Sequence, residues 1–212
     1  MGFGVTLLGF AFLLMHEIGG GFFAALVMGY GFFLTARLNK TFLHAAISSL
    51  FILPRGAVQI LATVGLINID TMPLLNTVTF VLFIAAWATT SVFWLKGVIE
   101  IAIECGSAKM ERQARWRLVA SVFVLMLIAV GYLLNTYGIL GLYAGPVLSG
   151  VYLLQYALLF VQIAFMHTCF VLITSERQYA KDKQQIAIER AKAIEKANKA
   201  KQEGARRSEK RR

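Results

Sequence analysis

Apolar side chains run along this chain in long blocks, interrupted at few places by charge or by turn residues. Five blocks stand out, at roughly 4–35, 44–68, 73–97, 118–135 and 146–175. Each reaches the ~18 apolar residues that mark a membrane span, and backbone groups in hydrocarbon need internal partners, so each is expected to be a helix. The expected fold is all-α: a polytopic membrane helical bundle of about five transmembrane helices over 1–175, followed by a basic cytoplasmic helix and tail over 176–212.

The breaks between blocks have chemical causes. Arg37, Asn39 and Lys40 end the first; Asn68, Asp70 and Pro73 divide the second from the third, with Pro73 suited to a first helical position. Lys109 to Arg117 separate the third from the fourth, and Asn135 to Pro146, with three glycines, separate the fourth from the fifth. The first block is too long for one upright helix, since 32 residues would extend ~48 Å against a hydrocarbon core of ~30 Å. Either it tilts, or His16, Glu17 and the Gly19–Gly20–Gly21 run break it. A single tilted helix is the favoured expectation, with Gly21, Ala25 and Gly29 forming a small-residue ridge for close packing.

Composition supports the membrane reading. Of 212 residues, 58% are hydrophobic and 15% charged, and no Asp, Glu, Lys or Arg occurs from Leu118 to Ser175. Soluble domains carry nearer a quarter charged residues, so a soluble globular enzyme is not expected. The net charge of +10 is concentrated at the end: residues 176–212 hold 13 Lys/Arg against 6 Asp/Glu, and residues 1–175 hold 8 against 5. Basic residues also occupy the 36–43 and 105–117 turns and are absent from 69–72 and 135–145. The positive-inside rule then puts the basic segments in the cytoplasm and, with five spans, the N-terminus outside, in an integral protein of the plasma membrane. No signal peptide is expected, since the first fifteen residues lack Lys and Arg. The tail suits anionic lipid headgroups rather than nucleic acid, because no aromatic beyond Tyr179 is interleaved with its charges. From Glu176 to Gln202 a long helix is expected to leave the bilayer.

Charges inside spans are expensive and point to function. Arg55 lies eleven residues into its span, between Pro54 and Gly56, where proline removes a helical hydrogen bond and should kink the helix. His44, Ser48, Arg55, Gln59 and Thr63 follow at steps that keep them within one helical stripe. Glu17 is the natural counterion, although upright helices would hold it about 10 Å above Arg55. His16 stands beside it, and no second His completes a zincin pattern. Gln155 and Gln162 share a face of the last span, with His167 nearer the cytoplasm. The candidate ligand or ion path is therefore Arg55, Glu17, His16, Gln59, Thr63, Gln155, Gln162 and His167; each could equally belong to a buried network that locks the bundle. Lys96, Glu100 and Glu104 read as interfacial, and Trp87, Trp94 and Trp116 as interfacial anchors.

Two functions follow. One is a small transport or channel-like protein built around Arg55. The other is a noncatalytic accessory or regulatory subunit that docks through its basic cytoplasmic helix. Five helices enclose little volume, so a homo-oligomer or a partner membrane subunit is expected in either case. An enzyme is not expected, since no nucleophile and base set or metal-ligand cluster falls on matching faces, and no cofactor is implied.

Overall fold

A computed structural model describes residues 2–173 and 184–190. Over 2–173 the chain forms α1 (Gly2–Leu13), α2 (Gly20–Thr35), α3 (Thr41–Leu50), α4 (Leu53–Thr63), α5 (Pro73–Glu104), α6 (Ala108–Thr136) and α7 (Ala144–Leu172), joined in places by short 3-10 turns. Four stretches are long and apolar enough to cross a membrane: Thr41–Thr63, Pro73–Glu104, Ala108–Thr136 and Gly141–Leu172. Large apolar side chains such as Phe33, Leu74, Phe123, Leu153 and Phe160 cover the exterior. A continuous apolar surface of this kind belongs in lipid, so the chain is an all-helical integral membrane protein.

The first block is not one tilted helix. It turns back on itself through Met15–Gly19, and α1 and α2 pack antiparallel as a hairpin. Gly19 adopts φ +92°, a left-handed conformation natural to glycine, and caps the 3-10 turn His16–Ile18. Energetics favour the break here. A straight helix would hold Glu17 deep in hydrocarbon at a cost of roughly 3 kcal/mol, whereas at the hairpin tip its side chain is 41% exposed. The two legs interlock reciprocally: Thr6 seats against Gly31, and Thr35 against Gly2. Each hydroxyl bonds back into its own helix, Thr6 Oγ1 to the Gly2 carbonyl at 3.0 Å and Thr35 Oγ1 to the Gly31 carbonyl at 2.8 Å, so the interface between the legs stays apolar.

This hairpin decides which helix ends lie together. Gly2 lies beside Thr35, and Phe170 near the end of α7 packs against Gly4. The N-terminal end, the basic turn after α2 and the end of α7 therefore share one end of the bundle, so the single helix over 4–35 on which the expected placement of the termini rested is not what the fold shows.

α1 is the inner helix. It meets α3 through Phe3 and Phe42, α5 through Phe10 and Trp94, and α7 along its length. Trp87 and Trp94 are fully buried in this core, which corrects their reading as interfacial anchors, while Trp116 is 73% exposed. Trp94 is held between Phe10 and Phe165, and Trp87 donates from Nε1 to Gln162 Oε1 at 3.0 Å. The second span breaks at Phe51–Ile52, just ahead of Pro54 in the first turn of α4. Phe51 and Ile52 bond to the carbonyls of Ser48 and Ser49, three residues back, as expected where proline withdraws a donor.

At the basic end, Glu100 is more than an interfacial acid. Its Oε2 accepts from Asn39 Nδ2 and Thr41 Oγ1, both at 2.8 Å, tying α5 to the start of α3. α7 ends at Leu172, and Ile173 leaves helical geometry. Residues 184–190 are helical; the rest of the expected cytoplasmic helix and tail over 176–212 lies outside the described residues.

Candidate functional site

The ridge of Gly21, Ala25 and Gly29 on α2 is buried and packs on α3 and α4. Gly56 makes the closest approach: a Cβ there would lie 2.6 Å from Phe22 Cα and 2.8 Å from the Gly21 carbonyl carbon. That contact sets α4 directly against α2 beside the hairpin tip, where Gln59 reaches the Glu17 main-chain carbonyl. The break before Pro54 matters as well, because it separates the predicted polar stripe into parts. Ser48, Arg55 and Gln59 are buried, whereas His44 and Thr63 are exposed.

Arg55 is 9% exposed. Its Nη1 donates to Asn76 Oδ1 at 2.5 Å and to Thr79 Oγ1 at 3.3 Å, both on α5. Its Nη2 donates at 2.8 Å to the side-chain oxygen of Gln59, whose amide nitrogen in turn donates to the Glu17 main-chain carbonyl at 3.3 Å. The guanidinium carbon stands 5.6 Å from the centre of the Phe80 ring, which stacks on Tyr132. Arg55 is thus held by amide and hydroxyl oxygens and by a ring face, and its hydrogen-bonded link to Glu17 runs through Gln59 to the main chain. The direct ion pair expected between Arg55 and Glu17 is replaced by this bridge.

The Glu17 carboxylate pairs instead with its neighbour: Oε1 lies 3.0 Å from His16 Nε2. His16 is 4% exposed, its ring parallel to that of Phe83 at 5.5 Å. Its Nδ1 lies 3.1 Å from the Leu13 carbonyl, which can only accept, so Nδ1 carries the hydrogen. Nε2 also lies 2.7 Å from the Gln155 amide nitrogen on α7. In the neutral ring Nε2 accepts from Gln155; in the doubly protonated ring it donates to Glu17.

Five of the eight residues singled out from the sequence therefore meet at one end of the bundle: Arg55, Glu17, His16, Gln59 and Gln155. Gln162 and His167 lie elsewhere, and Thr63 stands exposed one turn beyond Gln59. Gln162 forms a separate knot in mid-bundle, accepting from Trp87 and donating to Ser91 Oγ at 2.9 Å and Ser121 Oγ at 3.3 Å, which joins α5, α6 and α7. Thr63 bonds to the Gln59 carbonyl of its own helix, and His167 is exposed on the outer face of α7. Sequence reasoning missed Asn76, Thr79 and Phe80. Asn76 and Thr79 occupy the first turns after Pro73 at a spacing of three, a short polar ridge that is visible once a cation needing acceptors is in view.

Compared with known protein families, curated proteins and solved structures, the chain matches none. The geometry alone carries the functional reading.

Proposed function

We propose that the protein is a noncatalytic membrane scaffold or regulatory subunit, in which the Arg55 cluster fastens the bundle and the basic end serves for docking. One observation carries this reading: Arg55 is buried with its two terminal nitrogens engaged by Gln59, Asn76 and Thr79. Consistent with it, the interior between the cluster and the basic end is filled by fully buried Trp87, Trp94, Phe10, Phe83 and Phe165. A conduit needs groups that can exchange partners with a ligand, and these are engaged with one another. In this reading the protein sits in the plasma membrane with the basic end in the cytoplasm, which brings Gly2 and the tail there together. It works as a homo-oligomer or beside a partner membrane subunit, and neither an enzymatic step nor a cofactor is invoked.

A transport-like reading has its own support. Glu17 is half exposed and touches buried His16, so an imidazole and carboxylate pair opens toward the far end of the bundle. Proteoliposome flux of protons and small ions separates the two. The scaffold reading expects wild type and Arg55→Lys to match empty vesicles, and the wild-type chain to migrate in native membranes as a larger assembly that deletion of 204–212 weakens. Flux above empty vesicles that Arg55→Lys abolishes would replace the scaffold with a transporter.

A further inference from the structure

At the start of α6 a groove of about 1260 Å³ opens toward the basic end of the bundle. Lys109, Arg112, Trp116 and Ala120 line it at steps of three, four and four, one stripe of an α-helix, with Arg115 and Arg117 to either side. Its chemistry changes sharply along its length. Charged residues end at Arg117, and from Leu118 the helix is apolar; the deeper wall is Val119, Ala120 and, from α7, Val161. The one acid in this stretch, Glu111, is engaged with Arg115 Nε at 2.9 Å, which leaves Lys109, Arg112 and Arg117 as cations it does not bond.

We propose that this groove binds an anionic membrane lipid, its phosphate among Lys109, Arg112 and Arg117 and an acyl chain along Val119 and Val161. Three observations converge on a lipid. First, the groove is cationic at one end and apolar at the other, the complement of a phospholipid. Second, exposed Trp116 stands at the boundary, where an indole favours the headgroup region, while Trp87 and Trp94 are buried in the core. Third, the Arg117 guanidinium lies 4.3 Å from the centre of the Phe165 ring, and its buried Nε finds no hydrogen-bond acceptor among the described residues. A phosphate held by exposed Lys109 and Arg112 is drawn to the terminal nitrogens of the same guanidinium, and a charge-assisted bond of this kind is stronger than a neutral one. Basic pockets between spans on the cytoplasmic side recognise anionic headgroups by the same chemistry. This site stands independently of the scaffold reading.

The full chain in equimolar phosphatidylcholine and phosphatidylglycerol vesicles provides the test, with brominated chains placed on one lipid or the other. Subtracting the emission of Trp116→Phe isolates Trp116. Brominated phosphatidylglycerol should quench Trp116 more strongly than brominated phosphatidylcholine, and the preference should fall as salt rises. Lys109→Gln and Arg112→Gln, both exposed and outside the core, should each weaken the preference by up to about fivefold at low salt. Arg117→Gln should do the same, and if it misfolds by circular dichroism the two exposed positions still decide. Deletion of 204–212 should leave the preference intact. Equal quenching by both lipids, a preference that survives the double Lys109→Gln, Arg112→Gln variant, or a preference lost only with the tail would overturn the assignment.

Discussion

Arg55 shows how a single charge organises its surroundings when, among the described residues, no carboxylate stands within ion-pair distance of it. Its guanidinium spreads over α4 and α5, and truncating it would strand the acceptors of Asn76 and Gln59. Leaving a buried polar group unsatisfied costs ~1 to 3 kcal/mol, so Arg55→Met should lower the stability of the detergent-solubilised protein by an amount in that range. Thermal unfolding of a double-mutant cycle reads the partners directly. Coupling between Arg55→Met and Asn76→Leu should reach ~1 kcal/mol or more, and coupling between Arg55→Met and Glu17→Gln should be smaller, because a glutamine bridge separates those two residues. A larger coupling to Glu17 would restore the direct pair. The need for a buried partner is legible in the sequence, since a charge eleven residues into a span must be compensated. The identity of that partner is not, because Asn76 lies 21 positions away and enters range only when α4 and α5 pack.

At the scale of elements, the bundle depends on how closely α2 and α4 approach. Gly56 and Gly21 face each other across that interface, yet their tolerance should differ. A methyl group at Gly21 would have Gly56 Cα as its nearest neighbour at 3.7 Å, an ordinary contact, whereas one at Gly56 would meet Phe22 Cα at 2.6 Å. Gly56→Ala must therefore push two backbones apart and should destabilise by ~1 to 3 kcal/mol, with Gly21→Ala near neutral, as read by unfolding in detergent. Equal effects would mean that the interface can shift. The ridge itself is visible in the sequence as small residues every four positions. Its partner is not, since the glycine that matters most lies beside a proline and an arginine, where a kink is the more obvious reading. The first block tells the same story from the other side. Its excess length over a membrane is plain from the residue count, and so are the polar and flexible residues at its middle. Tilting and folding back both relieve the excess, and the reciprocal fit of Thr6 with Gly31 and Thr35 with Gly2 favours folding back.

For the whole molecule, the hairpin changes which ends meet. With the basic turn after α2 in the cytoplasm, Gly2 lies there too, and tags at the N- and C-termini should be reached by impermeant reagents from the same side of sealed vesicles. Tags accessible from opposite sides would mean that α1 and α2 do not form the hairpin in the membrane. The membrane class, the helical architecture and most boundaries between helices follow from local composition, because the exclusion of charge from lipid and the internal bonding of backbone act on each segment separately. Arg55 and Glu17 could be singled out for the same reason. The way polar residues are sorted into a tip cluster and a mid-bundle knot depends instead on contacts between segments. His16 meets Gln155 across 139 positions, and Trp87 meets Gln162 across 75. Such pairs carry no mark in the order of residues, since their geometry exists only after α7 has packed against α5 and, once the hairpin has turned the first block back, against α1.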